Sequence, residues 1–542
     1  MPPTSAPATE SVSLWAPLKH PVFRSLWIAT VVSNLGTAMQ GVGAAWMLVE
    51  LQAGPTLVAL LQTASSLPIF LLGLPAGVLA DLVDRRRLLI LANMWMIIVG
   101  IVLAAGVYFS LVDAHALIYL TFALGLGAAL SAPAFQAIVP ELAAGPLLAP
   151  AVSLNSLGVN IARTIGPALG GLMAAATGPE GVFVLNALST VAVVFALLRW
   201  RRVERPQSLP PEHFFAALRA SARYLAAAPH LKAIFWRTGL FFTFASAPWA
   251  LLPVLADERW GLGPGGYGTL LGVPGAGSIA GALQLTRLKS WLGASGLVVW
   301  STCACGATMI GVAATDQSAI AMALLPLFGV GWICVLTVLN VSAQGLAAQW
   351  VRARVLAMFV VALMGAMALG GIVWGAVAEW LSAPEAVAIA GVGLLMSLGL
   401  TRVMPVVDAG TVDLGPAASA DPSLTATARP DAGAVLVCID YRVLPENQAA
   451  FADAMRDLAH SRRRTGALSW FLWQYDEDPE RFRESFIVES WTDHLRQQQR
   501  RTSTDQGIEE SAARLSSEHA GPRTTTLRSW PVRGQSVAPS DS

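Results

Sequence analysis

Apolar residues recur along positions 23 to 404 in stretches long enough for a helix to cross a bilayer, about 20 residues for roughly 30 Å of hydrocarbon. Gly, Pro and short polar clusters separate them. The pattern predicts twelve spans, over 25–49, 56–80, 88–111, 115–139, 151–176, 181–199, 233–255, 266–287, 293–314, 318–344, 355–378 and 383–404. Past them the period changes. Residues 405–433, rich in Ala, Pro, Asp, Thr and Gly, carry no periodicity and read as a flexible linker. Beyond it Val437, Ile439, Tyr441 and Val443 alternate with Cys438, Asp440 and Arg442 as a strand, and Phe451, Met455 and Leu458 mark a helix that Pro445 opens. Two more strands are predicted at Leu468–Tyr475 and Phe482–Glu489, helical material from Trp491 to Ser517, and a last strand at Thr524–Trp530.

Basic residues orient the spans, because short loops rich in Lys and Arg stay on the cytoplasmic side. Arg85, Arg86 and Arg87 follow span two, Arg199, Arg201, Arg202 and Arg205 follow span six, Arg287 and Lys289 follow span eight, and Arg352 and Arg354 follow span ten. The opposite loops carry acids, among them Glu50, Asp113, Glu180, Asp257, Glu258, Asp316, Glu379 and Glu385, with Arg259 the exception. Both termini are therefore expected in the cytoplasm, and the first twenty residues lack the basic start of a secretory signal. The loop between spans four and five offers only Glu141. In the long loop after span six, Phe214, Leu218 and Leu225 at helical spacing oppose Arg219 and Arg223, the pattern of a helix on the inner membrane surface or of a soluble linker helix.

Composition adds little to this and excludes much. With 55% hydrophobic and 13% charged residues and a net charge of +1, the chain offers no field for a nucleic acid. Its four cysteines, Cys303, Cys305, Cys334 and Cys438, have neither zinc nor disulfide spacing, so no metal or cofactor is expected. The ATP-binding Gly-x-x-x-x-Gly-Lys-Ser/Thr loop is absent from the sequence.

Glycines suggest a duplication into a half at 23–200 and a half at 233–404, with 1–22 a cytoplasmic segment and 201–232 a central loop. Gly125 and Gly127 of span four recur as Gly329 and Gly331 of span ten, at the offset that relates Gly77 to Gly281; Gly170-Gly171 recur as Gly370-Gly371.

Span two ends in Gly77-Val78-Leu79-Ala80-Asp81-Leu82-Val83-Asp84-Arg85-Arg86-Arg87, which resembles the cytoplasmic loop motif of the major facilitator superfamily. In that reading Gly77 lets helices approach, Asp81 meets a helix N-terminus or a base, and Arg85, Arg86 and Arg87 hold the loop inside, together forming a latch between halves. Leu82 stands where a base is usual, and Asp84 where glycine is usual. Span five contains Arg163-Thr164-Ile165-Gly166-Pro167-Ala168-Leu169-Gly170-Gly171, similar to the Gly-Pro…Gly-Gly motif of exporters in this superfamily: Pro167 bends the helix while Gly166, Gly170 and Gly171 allow close packing. Phe23-Arg24-Ser25-Leu26-Trp27, Ser33-Asn34-Leu35-Gly36-Thr37-Ala38-Met39-Gln40 and Ala151-Val152-Ser153-Leu154-Asn155-Ser156 resemble the enterobactin-exporter-like branch, the transmembrane secretion effectors.

The resemblance implies an all-α polytopic membrane protein of twelve helices in two six-helix halves. It implies a secondary transporter of the bacterial inner membrane that moves a siderophore, drug or other small molecule out by alternating access, with proton counter-transport. The tail order, strand, helix, two strands, helix, strand, resembles the α+β ferredoxin-like antibiotic-biosynthesis monooxygenase domain, placed at 434–533 with 534–542 as tail; the likeness implies dimerisation and admits catalysis by Trp470, Trp473 and His494. His494 alone reads as a surface residue on a helix. A membrane-tethered oxygenase, an importer or a sensor are the competing functions.

A charge near mid-membrane is costly unless it faces protein or water. Arg163 is therefore expected to point into the bundle, as an anchor for an anionic or strongly polar substrate, or as a tie satisfied by helix carbonyls and amides. Asn34, Gln40, Gln62, Gln136, Asn340 and Gln344 are expected beside it along the transport pathway, the last two four residues apart on one face. No acid lies mid-span, so proton coupling falls to Asp81, Glu50 or Glu379 at the membrane edges.

Overall fold

A computed structural model describes residues 13–143, 145–200, 223–226, 228–348, 350–399, 433–517 and 523–528. The chain forms two units, one of residues 1–208, 236–339 and 357–405, the other of 209–235, 340–356 and 406–542. The expected surface helix around Phe214, Leu218 and Arg219 and the linker 405–432 lie outside the described residues.

The first unit is a helical bundle. Among the described residues eight helical segments are long and apolar enough to cross a membrane, and two of these, Gly145–Arg199 and Pro264–Ala314, are far longer than one crossing needs. Each is broken by one glycine in the left-handed region, Gly178 with φ 77° and Gly293 with φ 68°, where a side chain would be strained. Each segment is therefore two spans, five with six and eight with nine. Pro21–Glu50 and Ala383–Met396 stand at the first and last predicted positions. The expected loop at Arg287 and Lys289 is helical instead, because span eight continues to the Gly293 turn. Apolar side chains face outward, Leu91, Leu172 and Leu283 at 67%, 62% and 79% exposure, as lipid requires.

Glycines set the helix approaches, and they do so twice. A methyl group at Gly170 would sit 2.7 Å from Met39 of span one, and one at Gly171 would sit 2.5 Å from the Pro264 carbonyl and 2.8 Å from Gly268 of span eight, in the other half. Gly370 likewise abuts Ser246 and Thr243 of span seven, its own half, while Gly371 abuts Thr63 and Ala59 of span two, across the interface. Gly125 presses on Pro68 of span two as Gly329 does on Pro274 of span eight, and Gly127 meets span three as Gly331 meets span nine. The duplication is thus mechanical as well as positional. Gly77 departs from it: among the described residues a methyl there meets no atom within 4 Å, whereas one at Gly281 meets Ile333 at 2.8 Å.

The second unit carries a four-stranded antiparallel sheet in the order β2-β3-β1-β4, from β1 Val435–Arg442, β2 Ser469–Gln474, β3 Arg481–Val488 and β4 Arg523–Arg528. With the helix Gln448–Thr465 after β1 and two helices after β3 this is the expected ferredoxin-like order. Period-two alternation sends Val435, Val437, Ile439 and Tyr441 to one face, where they meet Phe451, Met455 and Leu458 of the helix. Phe471, Trp473 and Leu527 remain about half exposed at 51%, 54% and 51%. The helical stretch after β3 splits into Trp491–Gln499 and Ser503–Arg514 because Thr502 and Asp505 form a capping box that starts a new helix. The same unit includes the loop after span ten: the Tyr224 hydroxyl accepts from the Ala348 N–H at 3.1 Å, Trp350 stands edge-on to Tyr224, and the Arg500 guanidinium lies over Trp350 at 4.5 Å.

Candidate transport cavity

Gln62 and Ser65 of span two, Arg163 and Pro167 of span five, Trp249 of span seven and Tyr267 of span eight line one cavity of about 210 Å³. Both halves therefore contribute walls. Arg163 faces this interior: it is solvent-exposed although it stands in the middle of a span, and the space it reaches is the cavity. Among the described residues it makes no hydrogen bond or ion pair, so the tie to carbonyls and amides is not formed. The Trp249 indole N–H is buried and also lacks an acceptor. Gln62 donates to Ser66 at 2.8 Å, and no carboxylate lines the cavity. The result is a set of donors short of acceptors. Trp46 stacks on Tyr267 at 6.1 Å, closing the wall between spans one and eight.

The other expected pathway residues divide differently. Gln40 is buried and bonded to Asn186 of span six, a polar pair 146 residues apart that ties helices and leaves Gln40 outside the cavity lining. Asn34 is half-buried and Gln136 exposed, neither lining the cavity. Gln344 donates to Asn340 at 2.6 Å, within the second unit, so these two satisfy each other. Gly166 seats Ala38 of span one, and Pro167 keeps helical φ/ψ, the only break in that helix being Gly178.

The arginines of the loop motif make bonds within the first half. Asp84, the residue in the place of the usual glycine, caps the helix Arg85–Tyr108 by accepting from the Arg87 N–H at 2.8 Å. Arg85 pairs with Glu141 at 2.9 Å, and Arg86 donates to the Leu197 and Leu198 carbonyls at 2.8 and 3.0 Å. These bonds hold spans two and three to spans four and six. The Asp81 side chain lies outside the described residues. At the opposite end of the bundle the halves do meet through a carboxylate: Glu379 of span eleven accepts from the Thr56 N–H at the start of span two at 3.3 Å. Nearby, a second cavity of about 330 Å³ is lined by Gln52, Asp257 and Glu258, and Val58 borders both cavities.

In the soluble domain the three oxygenase candidates do not converge. Trp470 and Trp473 are three apart in β2 and so face opposite ways; Trp470 donates to Glu484 at 2.9 Å and Trp473 to Ser485 at 2.7 Å. His494 is a correction to the expectation of a surface residue: it is buried at 3% exposure against Trp491, and burial together with the Arg462 charge lowers its pKa.

The family model described as transmembrane secretion effector matches residues 12–530, taking in the soluble domain as well as the bundle. Enterobactin exporters EntS of Shigella boydii serotype 4 (strain Sb227) and of Salmonella typhi are 29% identical over 269 residues, which is 50% of this chain and 64% of each relative. Among solved structures, a POT family transporter in complex with 5-aminolevulinic acid superposes with a TM-score of 0.57 at 13% identity, over 71% of this chain and 96% of that one. The nucleoside transporter NupG gives 0.56 at 14% identity over 71% and 99%, and an inward-facing, unoccupied bacterial homologue of the human lysosomal transporter Spinster gives 0.56 at 13% over 72% and 95%. These likenesses carry the fold.

Proposed function

We propose, from the premise that the chain belongs to the transmembrane secretion effector family of major facilitator transporters, that this multi-pass membrane transporter moves a small anionic, acceptor-rich metabolite out of the cytoplasm. The observation that carries this reading is the pair of unmet donors, Arg163 and Trp249, at one cavity shared by both halves. A guanidinium at a cavity whose lining holds no carboxylate favours a ligand that brings the counter-charge. The enterobactin exporters among the relatives support a siderophore-like cargo, and the basic clusters at Arg85–Arg87, Arg199, Arg287 and Lys289, and Arg352 and Arg354 support cytoplasmic termini in the inner membrane. The acids Asp257 and Glu258 in the adjoining cavity repel an anion that has left, which favours release over recapture on that side.

The test is uptake of enterobactin into inside-out vesicles, with a cationic dye as control. Arg163→Gln lowers apparent affinity for the anion by about 30-fold or more, in line with the 2–5 kcal/mol typical of truncating one member of a desolvated charge pair, and spares the dye; Arg163→Lys recovers part of the loss. Unchanged anion transport by Arg163→Gln rejects the anchor.

Proton coupling runs through Glu379 rather than Glu50. Its carboxylate, exposed like that of Glu50, accepts from the Thr56 N–H and so joins span eleven to span two across the interface, a contact that protonation weakens and that Glu50 does not make among the described residues. Glu379→Gln abolishes substrate-driven proton flux in the same vesicles while leaving substrate exchange intact; flux equal to wild type rules the assignment out.

A further inference from the structure

A second arginine raises a different question. Arg237 of span seven stands two turns past Pro229, is 6% exposed, and among the described residues has no hydrogen-bond partner at any of its three guanidinium nitrogens. Around it lie Phe241, Val298, Val335 and Leu339 from spans seven, nine and ten. The two hydroxyls in the same pocket are turned back into their own helices, Thr302 donating to Val298 at 2.7 Å and Ser397 to Leu394 at 2.6 Å. No carboxylate of the second half is near: its acids between 236 and 399 are Asp257, Glu258, Asp316, Glu379 and Glu385, all at the opposite ends of their helices. Among the described residues this buried charge thus has five donors and no acceptor, an arrangement that a bound anion would complete.

The pocket limits what that anion is. Its free volume of about 20 Å³ accepts one oxygen-sized group, so a larger ligand enters only by its tip. The residues flanking it in sequence, Trp236 at 63% and Met396 at 76% exposure, present apolar surface outward, Trp being the residue type that settles at headgroup level. The remainder of the ligand thus runs toward lipid. We propose that Arg237 is the base of an oxyanion site that takes a phosphate oxygen of an anionic phospholipid at this end of the bundle, separate from the Arg163 cavity.

The experiment uses the full chain. Purified protein in nanodiscs of phosphatidylglycerol or phosphatidylcholine is compared by lipid retention in native mass spectrometry and by thermal unfolding, for wild type, Arg237→Met, Arg237→Lys and Arg163→Gln. Wild type is expected to retain phosphatidylglycerol over phosphatidylcholine by on the order of tenfold and to unfold later in it. Arg237→Met loses both preferences, and Arg237→Lys keeps part of them. Arg163→Gln keeps both, which separates this site from the transport reading. A further arm adds inorganic phosphate to delipidated wild type: a rise in Tm with phosphate, matched by none with phosphatidylglycerol, moves the source from lipid to solute and overturns the lipid assignment. Equal retention by wild type and Arg237→Met, with no response to either phosphate source, overturns the site, leaving water as the partner. Should Arg237→Met not fold, the wild-type lipid comparison and Arg237→Lys still decide.

Discussion

In the C-terminal domain Arg462 is buried against Glu484 at 3.0 Å and meets Glu509 as well, whereas in the bundle Arg237 is as deeply buried and meets no acceptor among the described residues. Burial alone discourages charge on Arg462, yet Glu484 and Glu509 raise its pKa and hold it firmly charged. Glu484 also accepts from Trp470 and Tyr441, so the carboxylate is satisfied from several sides. The same residue type is thus completed within the chain in one region and left open in the other. A charge that finds its partners at home is architecture. One that does not is where the two proposals above place a ligand.

The contrast can be broken most severely in the soluble domain. Glu484→Gln leaves Arg462 buried with one carboxylate, and removing one member of a buried pair typically costs about 3–5 kcal/mol, a large share of the stability of a domain this size. Limited proteolysis of the full chain should show the 434–533 region opening first; an unchanged digestion pattern would mean the pair is dispensable. In the bundle the expected stability change at Arg163 is far smaller, within about 0.5 kcal/mol or slightly favourable, because no native contact is lost. Transport and stability should therefore separate for Arg163→Gln, and a mutant that unfolds early would show a structural role instead. The smallest effect is one of pH. Burial raises the pKa of Asp505, but the Arg464 charge and bonds from Ser461 and Thr502 outweigh it and hold the carboxyl below its usual range. Asp440 is lowered as well, chiefly by its bond from Arg483. Lowered folded-state values mean stability that is present above the unfolded pKa, about 3.9, and is lost as pH falls through the folded value. Acid unfolding of the domain should begin below about pH 4, and Asp505→Asn should flatten that slope.

The same distinction explains what was legible in the chain before its structure. Spans were readable because bilayer thickness sets their length, and the tail because strand and helix periods differ. The direction of Arg163 followed from cost alone. Partners could not be read: a mid-span amide such as Gln40 serves a pathway or a helix tie, and Asn186, 146 residues away, decides it. Arg237 lies a few residues inside its apolar stretch, close enough to the loop to pass for a boundary residue. His494 sits on a polar helix whose burial comes from Trp491 and the sheet side, which no local pattern reveals. Asp84 was visible as a departure from the superfamily motif, and only the Arg87 N–H shows it to be a cap.

The paired glycines have one more consequence. Gly171 rests on span eight as Gly371 rests on span two, so each half offers the other an equivalent bearing. Rocking about two matched bearings has no built-in sense of forward and reverse. On the export reading proposed above, direction would then rest on the gradients and on asymmetric features such as Asp257 and Glu258, not on the glycine bearings themselves.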